Sequence, residues 1–145
     1  MSAYLLDTSC LVAAVCTWHE HHEATKREIV RREAAGDVLV LAAHSLAEAY
    51  SVLTRLPEPH RIRPEDALAV LEANWSDTRL VALSGPEYRS LLRRCRDSGI
   101  GGGAVYDALI AACARKGRVA SLVTWDTANF ERVLEDQPVV KTPRG

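Results

Sequence analysis

The stretch AVYDALIAACARKGRVASLVTWD, residues 104–126, decides the fold class of this chain. Its first half, residues 104–116, is a strongly apolar helical segment that Gly117 stops. Its second half, residues 119–124, is short, unbroken and β-rich, which is typical of a strand buried on both faces. A helix that leads directly into a buried strand is one unit of a parallel sheet covered by helices.

The same alternation continues on both sides of this stretch. Helices are predicted over residues 10–16, 20–35, 44–56, 64–75, 84–97, 104–116 and 127–134. Strands are predicted over residues 4–6, 38–41, 80–83 and 119–124, with a fifth at 139–140. We therefore expect an α/β three-layer sandwich, with a central parallel sheet of four to five strands and helices on both faces. No linker or repeat divides the chain, so residues 1–145 are expected to form a single domain.

Composition and charge exclude several classes of protein. The chain has 145 residues, of which 48% are hydrophobic and 26% charged, and these are ordinary values for a globular domain. A net charge of −1 excludes a highly basic nucleic-acid tail and an acidic disordered chain. The four cysteines form no CxxC pair, which favours free buried thiols over a disulfide framework or a zinc site. Because no secretory signal or membrane-length apolar run is present, we expect a cytoplasmic protein without a membrane segment.

Four acidic residues lie where the predicted strands end or the predicted helices begin. Asp7 ends the first strand, and Asp126 follows the fourth. Glu48 is predicted in the first turn of the helix after the second strand, and Asp107 in the first turn of the helix over residues 104–116. In a doubly wound sheet, functional sites lie beyond the carboxyl ends of the strands. We therefore expect the four carboxylates to meet at that edge.

Each acid also has a simpler explanation when it is taken alone. Asp7 and Asp126 could cap the helices that follow them, and Asp107 could complement a helix dipole. Ser45 and Glu48 have the spacing of a capping box, in which Glu48 would only satisfy a backbone donor. Asp107, however, lies in a nearly all-apolar helix, where an acid must be paired, neutral or bound to a metal.

Taken together, the four acids predict a cation site. Converging carboxylates repel one another and raise each other's pKa unless a cation neutralises them. Ligands that are all oxygen suit Mg²⁺ or Mn²⁺ better than zinc. The chemistry that such a site supports is metal-assisted cleavage of a phosphodiester.

Four motifs in order along the chain carry a family resemblance. They are LDTS at residues 6–9, AE at 47–48 followed by LTR at 53–55, GGAVYDALIAA at 102–112, and TWDTANF at 124–130. With these motifs the chain resembles a PIN-domain ribonuclease, in particular the VapC-type toxins of bacterial toxin–antitoxin pairs. The resemblance implies a PIN-like sandwich that cleaves RNA.

The resemblance also implies roles for particular residues and partners. Asp7, Glu48, Asp107 and Asp126 would bind Mg²⁺ or Mn²⁺ and form the catalytic site. Ser9 and Thr124 would support that site, as would Asn129, which lies where relatives often carry a polar residue before Phe. The expected partners are an RNA substrate, a second copy of the chain in a homodimer, and a small cognate antitoxin protein that covers the acidic pocket.

Two further patterns have alternative interpretations. His19 and His22, within the segment WHEHH at residues 18–22, resemble a metal pair but lack a third ligand such as HExxH provides. Arg89, Arg93 and Arg96 recur at helical spacing, so they could contact RNA phosphates or form an ordinary solvated helix face.

Two other functions remain open at this stage. One is a metal-independent ribonuclease with His22, His44 or His60 as acid and base. The other is a non-catalytic PIN-like module that binds RNA or protein.

Overall fold

The computed structural model describes residues 2–134 and 138–144. Its strands are β1 Ala3–Leu6, β2 Val38–Ala42, β3 Arg79–Val81, β4 Ser121–Val123 and β5 Val139–Lys141. Its helices are α1 Thr8–Val15, α2 His22–Ala34, α3 Ala43–Thr54, α4 Pro64–Trp75, α5 Gly85–Asp97, α6 Ala104–Lys116 and α7 Thr127–Glu131.

The five strands form one parallel sheet in the order β3-β2-β1-β4-β5. Leu5 of β1 is in register with Val40 of β2 on one side and with Leu122 of β4 on the other. The chain therefore winds outward from β1 through β2 to β3, and then returns to build β4 and β5 on the opposite side of β1. This reversal creates a crevice between the carboxyl ends of β1 and β4, where open α/β sheets bind their ligands.

Helices cover both faces of the sheet because successive strand side chains point to opposite sides. Tyr4 and Leu6 of β1 pack in one apolar cluster, together with residues of α1, α3 and α4. Leu5 packs in a second cluster, which contains Leu91 of α5 and the apolar face of α6. The three-layer α/β sandwich with a five-stranded parallel sheet is confirmed.

Several element bounds differ from the predictions. Helix α1 begins at Thr8 rather than Cys10, directly after Asp7 in extended conformation, and α2 begins at His22 rather than Glu20. The strand predicted from Val119 begins two residues later, because the Val119 amide bonds to the Ala114 carbonyl at the end of α6. A short apolar run does not by itself show which of its residues pair with a neighbouring strand.

Bounds of three other elements also differ from the predictions. Helix α3 ends at Thr54 rather than Leu56, α7 ends at Glu131 rather than Leu134, and β3 covers Arg79–Val81 rather than residues 80–83. The glycine run before α6 contains Gly102 at φ +60°, a left-handed conformation that glycine adopts without strain.

Two composition-based expectations can be compared with the structure. All four cysteines are buried as free thiols. Within residues 2–134 and 138–144, no helix is long and apolar enough to cross a membrane.

Candidate active site

The crevice beyond β1 and β4 is an open pocket of about 460 Å³. All four acidic residues singled out from the sequence, Asp7, Glu48, Asp107 and Asp126, line it. They come from four separate segments: the β1–α1 junction, α3, α6 and the β4–α7 junction. The fold thus brings together side chains that are up to 119 positions apart in the chain.

Asp7 lies at the base of the pocket and is almost completely buried. Its Oδ2 atom accepts hydrogen bonds from the hydroxyls of Ser9 and Thr124, both at 2.9 Å. Burial raises the pKa of Asp7 above its ordinary value, and these two hydrogen bonds partly oppose that rise. The carboxylate is therefore held in one orientation by two neutral donors rather than by a basic side chain.

Thr124 links the two strand ends across the sheet reversal. It is fully buried, and its hydroxyl accepts a hydrogen bond of 2.9 Å from the backbone N–H of Asp126 while donating to Asp7. Ser9 makes a parallel link, since its hydroxyl also accepts from the backbone N–H of Trp125 at 3.2 Å. These bonds place Ser9 and Thr124 where the resemblance predicts supporting residues.

Asp107 lies in the first turn of α6 and faces the other acids. Burial, followed by the charges of Asp7, Glu48 and Asp126, raises its pKa from 3.8 to about 6. The expectation that Asp107 lies in nearly all-apolar surroundings is only partly right, because the adjacent residue Tyr106 is 52% exposed. The buried part of α6 begins at Ala108. Repulsion by three neighbouring carboxylates therefore adds to desolvation at Asp107.

Glu48 does not form the capping box that its spacing with Ser45 suggests. Helix α3 begins at Ala43, so Glu48 lies in the second turn rather than the first. Ser45 is fully buried, and its hydroxyl has no hydrogen-bond partner among the described residues. The Glu48 side chain is 31% exposed on the pocket wall, with Oε2 3.5 Å from Nε2 of His44. The His44 ring in turn stacks parallel to Tyr106.

Asp126 is the most exposed of the four acids. It occupies the N-cap position of α7, but within the described chain its carboxylate makes no capping hydrogen bond. Helix capping therefore does not account for the Asp126 side chain. Its position at the pocket agrees with a role beside the other three acids. Asn129 is also exposed and is not among the residues that line the pocket; its backbone N–H donates to the Asp126 carbonyl at 3.0 Å.

The four carboxylates share a pocket without forming a compact cluster. Within residues 2–134 and 138–144, no three His, Cys, Asp or Glu side chains are close enough together to hold a metal ion as they stand. Carboxylate oxygens nevertheless dominate the donor set of the pocket, which Glu20 and the rings of His19 and His21 also line. Burial, and then repulsion by the other three predicted acids, raises the pKa of Asp107. Such a set suits a hard divalent cation, which prefers oxygen ligands.

The histidines of the segment 18–22 are divided between two roles. The Nδ1 atom of buried His22 lies 2.9 Å from the Ala13 carbonyl, so this ring ties α2 to α1. His19 and His21 line the acidic pocket instead. Burial, then the neighbouring His21 ring, lowers the pKa of His19. The sequence pattern indicated a metal pair in this segment and His22 as a candidate acid or base, but it did not indicate that His19 and His21 lie at the pocket.

Other pocket residues also escaped the sequence analysis. Thr8 is 6% exposed, and its hydroxyl has no partner in the described part of the chain. The Trp125 side chain also lines the pocket. Both residues adjoin predicted acids in the sequence, which is the one local signal that could have indicated them.

Arg89, Arg93 and Arg96 are exposed along α5 and are not among the pocket-lining residues. Arg96 pairs with Asp97 at 2.9 Å. The structure therefore leaves both interpretations of this stripe standing, but it does not join the stripe to the acids.

The sequence of this chain matches the PIN domain family over residues 4–135. The chain therefore belongs to the PIN-domain proteins, in agreement with its fold and its acidic crevice. Within that family it is of the VapC type: it is 44% identical to Ribonuclease VapC40 of Mycobacterium tuberculosis over 125 residues, which cover 86% of this chain and 87% of the relative.

Solved structures show the same fold. The crystal structure of VapC20 from Mycobacterium tuberculosis, described as a sarcin-ricin loop cleaving toxin, aligns with a TM-score of 0.65 at 18% identity, covering 82% of this chain and 86% of that one. The structure of VapBC2 from Rickettsia felis, bound to a DNA fragment from its promoter, also aligns with a TM-score of 0.65 at 18% identity, covering 97% and 98% of the two chains.

Proposed function

We propose that this protein is a Mg²⁺- or Mn²⁺-dependent endoribonuclease and the toxin of a toxin–antitoxin pair. The observation that carries the proposal is the meeting of Asp7, Glu48, Asp107 and Asp126 in one pocket at the sheet reversal. Membership of the PIN-domain family and 44% identity to a protein named as a ribonuclease support it.

The donor chemistry of the pocket fits a divalent cation. The four carboxylates would hold it, and its positive charge would favour the ionised form of Asp107, whose pKa is raised to about 6 by burial and by the other acids. When bound, such a cation stabilises negative charge on a phosphate and lowers the pKa of a water molecule for attack on phosphorus.

The chain's own residues prepare the site for this ion. Ser9 and Thr124 fix the orientation of Asp7 by donating to the same carboxylate oxygen. Thr124 also fixes the backbone of Asp126, so the two acids keep their relative positions. The His19, His21 and Trp125 side chains also line the pocket beside the acids.

The assembly and location of the protein follow from the same proposal. The whole chain acts as one nuclease domain in the cytoplasm, as a homodimer. A small cognate antitoxin protein covers the acidic pocket. The structural similarity to VapBC2, whose name denotes a VapB–VapC assembly, supports a partner of this kind.

The histidine mechanism has less support from the geometry. The His22 ring bonds to a main-chain carbonyl, and the His60 ring stacks on Trp18. His44 lies beside Glu48, where it can orient a carboxylate. None of these three rings is among those that line the pocket. His19 and His21 do line it, but Nδ1 of His19 accepts a hydrogen bond of 3.0 Å from the His21 backbone N–H, and the His21 ring stacks on Trp125. The non-catalytic alternative offers no reason for four acids to share one pocket.

Cleavage of RNA by the purified protein tests the proposal. The parent should cut a mixed single-stranded RNA when Mg²⁺ or Mn²⁺ is supplied and should stop when a chelator is added. Asp7→Asn, which keeps the shape of the side chain, should abolish cleavage. Cleavage that survives both the chelator and Asp7→Asn would favour the histidine mechanism, and a correctly folded parent that never cleaves would favour a binding module.

A further inference from the structure

A continuous file of aromatic rings leads from the acidic pocket to the surface. In order, the rings belong to Trp125, His21, His19, Trp18 and His60. The His21 and Trp125 rings stack at 3.8 Å between centroids with their planes 9° apart, and the Trp18 and His60 rings stack at 4.0 Å and 21°. His19 bridges the two pairs, at 5.7 Å from His21 and 5.8 Å from Trp18. We call these five residues the ring file.

The inner end of the ring file is joined to the catalytic pocket. Trp125 immediately precedes Asp126, and its backbone N–H donates to Ser9, the same hydroxyl that orients Asp7. The indole N–H of Trp125 donates to the Thr25 hydroxyl at 2.9 Å, and that hydroxyl donates in turn to the His21 carbonyl at 2.7 Å. The inner pair of rings is therefore held in place by buried polar contacts.

The outer end is exposed. Trp18 is 46% accessible to solvent, and the His60 side chain that stacks on it lies on the exposed loop between α3 and α4. An exposed tryptophan supported by a second ring is a rigid apolar face beside a polar pocket. Tryptophan, which combines an apolar ring with a polar N–H, is enriched at interfaces.

We propose that the ring file is a stacking track for the unpaired bases of single-stranded RNA whose backbone enters the acidic pocket. This inference rests on the proposed ribonuclease function. Sequence-tolerant binding of single strands generally relies on aromatic side chains on which successive bases stack. The track supplies that contact next to the acids, where a phosphate would otherwise meet only negative charge in the absence of a cation. Trp18 and His21 are positioning residues for the substrate, because they contact bases rather than the phosphate that reacts.

The occupant favoured by the geometry is RNA rather than a protein segment. The file is continuous with the pocket that would hold the scissile phosphate, and its members are planar rings in series rather than an apolar groove. A base of any identity has a π-face that can stack on the exposed Trp18 ring at the outer end of the file.

Binding measured without cleavage tests the proposal. In an Asp7→Asn background with Mg²⁺, the anisotropy of a labelled single-stranded oligoadenylate RNA reports affinity while the probe stays intact. Trp18→Leu should weaken binding roughly 5- to 150-fold, which corresponds to the loss of one stacked base. Trp18→Phe should restore most of the affinity. Tyr88→Leu, which removes another exposed aromatic ring from α5, should leave affinity unchanged.

A second probe separates base stacking from general attraction to RNA. The same strand with abasic residues keeps its phosphates but loses its bases. Asp7→Asn without further change should bind the abasic strand about as weakly as its Trp18→Leu variant binds the normal strand. The Trp18→Leu variant should bind the abasic and the normal strand equally. Binding of the normal strand should also quench tryptophan fluorescence in the parent, and less so in Trp18→Phe.

The outcomes that overturn the inference differ from those that overturn the function. If Trp18→Leu binds the normal strand as tightly as the parent does, the track is wrong while the ribonuclease proposal stands, and contact with a protein partner becomes the role of the rings. The same conclusion follows if the abasic probe binds the parent normally. A parent that neither binds nor cleaves RNA would overturn the proposed function and the track with it.

Discussion

Replacing Asp107 by asparagine should stabilise the metal-free protein at neutral pH. The variant keeps the shape of the side chain but removes one of the charges in the pocket. Burial and three neighbouring carboxylates raise the pKa of Asp107 from 3.8 to about 6, so the folded state holds its proton more tightly than the unfolded chain does. Ionisation of Asp107 at neutral pH therefore destabilises the fold, and asparagine relieves that cost.

The size of the effect follows from the pKa. A shift of about two units corresponds to about 3 kcal/mol if fully expressed, and solvent screening of this partly exposed group reduces it to about 1–2 kcal/mol. The unfolding temperature should rise by roughly 3–8 °C at pH 7. Because the folded protein holds more of the Asp107 proton between pH 4 and pH 6, the contribution of Asp107 to the stability of the parent falls as the pH rises through that window. The difference between parent and variant should therefore vanish near pH 4 and be complete above pH 6.

Thermal unfolding followed by circular dichroism in the presence of a chelator measures this difference. A matched control is Asp66→Asn, since Asp66 is also an aspartate in the first turn of a helix but lies exposed on α4, 3.5 Å from the Arg63 Nε. This control should be slightly less stable than the parent, because it loses a favourable helix-dipole charge. Added Mg²⁺ or Mn²⁺ should then raise the unfolding temperature of the parent more than that of Asp107→Asn.

Activity completes the test. Asp107→Asn should lose cleavage of RNA while gaining stability, because the ion loses a charged ligand. A variant that cleaves RNA normally, is less stable than the parent at pH 7 and responds to Mg²⁺ as the parent does would refute the assignment of Asp107 to the site. In that case Asp107 would behave as Asp66 does, as a helix-dipole acid.

The remaining predictions concern the products, the support of Asp7 and the arginine stripe. Cleavage by a metal-activated water should leave 5′-phosphate and 3′-hydroxyl ends, which end-specific labelling of the products detects, and 2′,3′-cyclic phosphates would contradict the mechanism. Thr124→Val should raise the pKa of Asp7 further and lower activity at pH 6 more than at pH 8. Thr124→Ser keeps the hydroxyl and should restore the parental pH–rate profile. Equal pH–rate profiles for all three proteins would remove Thr124 from the site. If Arg89, Arg93 and Arg96 contact phosphates, replacing all three by glutamine should reduce the slope of log affinity against log salt by about 2 in titrations with single-stranded RNA, and an unchanged slope would assign them to a solvated face.

Much of the architecture was accessible from local patterns. The apolar runs and helix stops of the chain predicted the alternation of strands and helices, and hence the parallel sheet, because each element depends mainly on its own periodicity. The positions of Asp7, Asp107 and Asp126 at strand ends or helix starts predicted that they would gather at one edge. That inference needed only the rule that parallel strands share their carboxyl ends. The bounds of α1, α2 and β4 were less accurate, since caps and turns decide them through backbone geometry.

At two places the spacing of residues along the sequence suggested a local interaction that the described part of the chain does not contain. Ser45 and Glu48 match a capping box, yet α3 begins two residues before Ser45, which leaves Ser45 in the interior and Glu48 at the pocket beside His44. The segment WHEHH resembled a metal site, but its rings divide between a bond to Ala13 and the ring file. The positions of these side chains could not be predicted from the local sequence, because they depend on where α1, α2 and the β4–α7 junction pack.

The sequence by itself determined which acids are available, the order in which they occur and the edge of the sheet that they reach, since these depend on the chain's own strand and helix pattern. Only the tertiary structure decided what surrounds them. Burial against α1 and β4 raises the pKa of Asp7, and hydrogen bonds from Ser9 and Thr124 hold its carboxylate. Burial, together with repulsion by Asp7, Glu48 and Asp126, raises the pKa of Asp107. Desolvation, repulsion and ring stacking act through space over a few ångströms, so they appear only once residues separated by more than a hundred positions lie side by side.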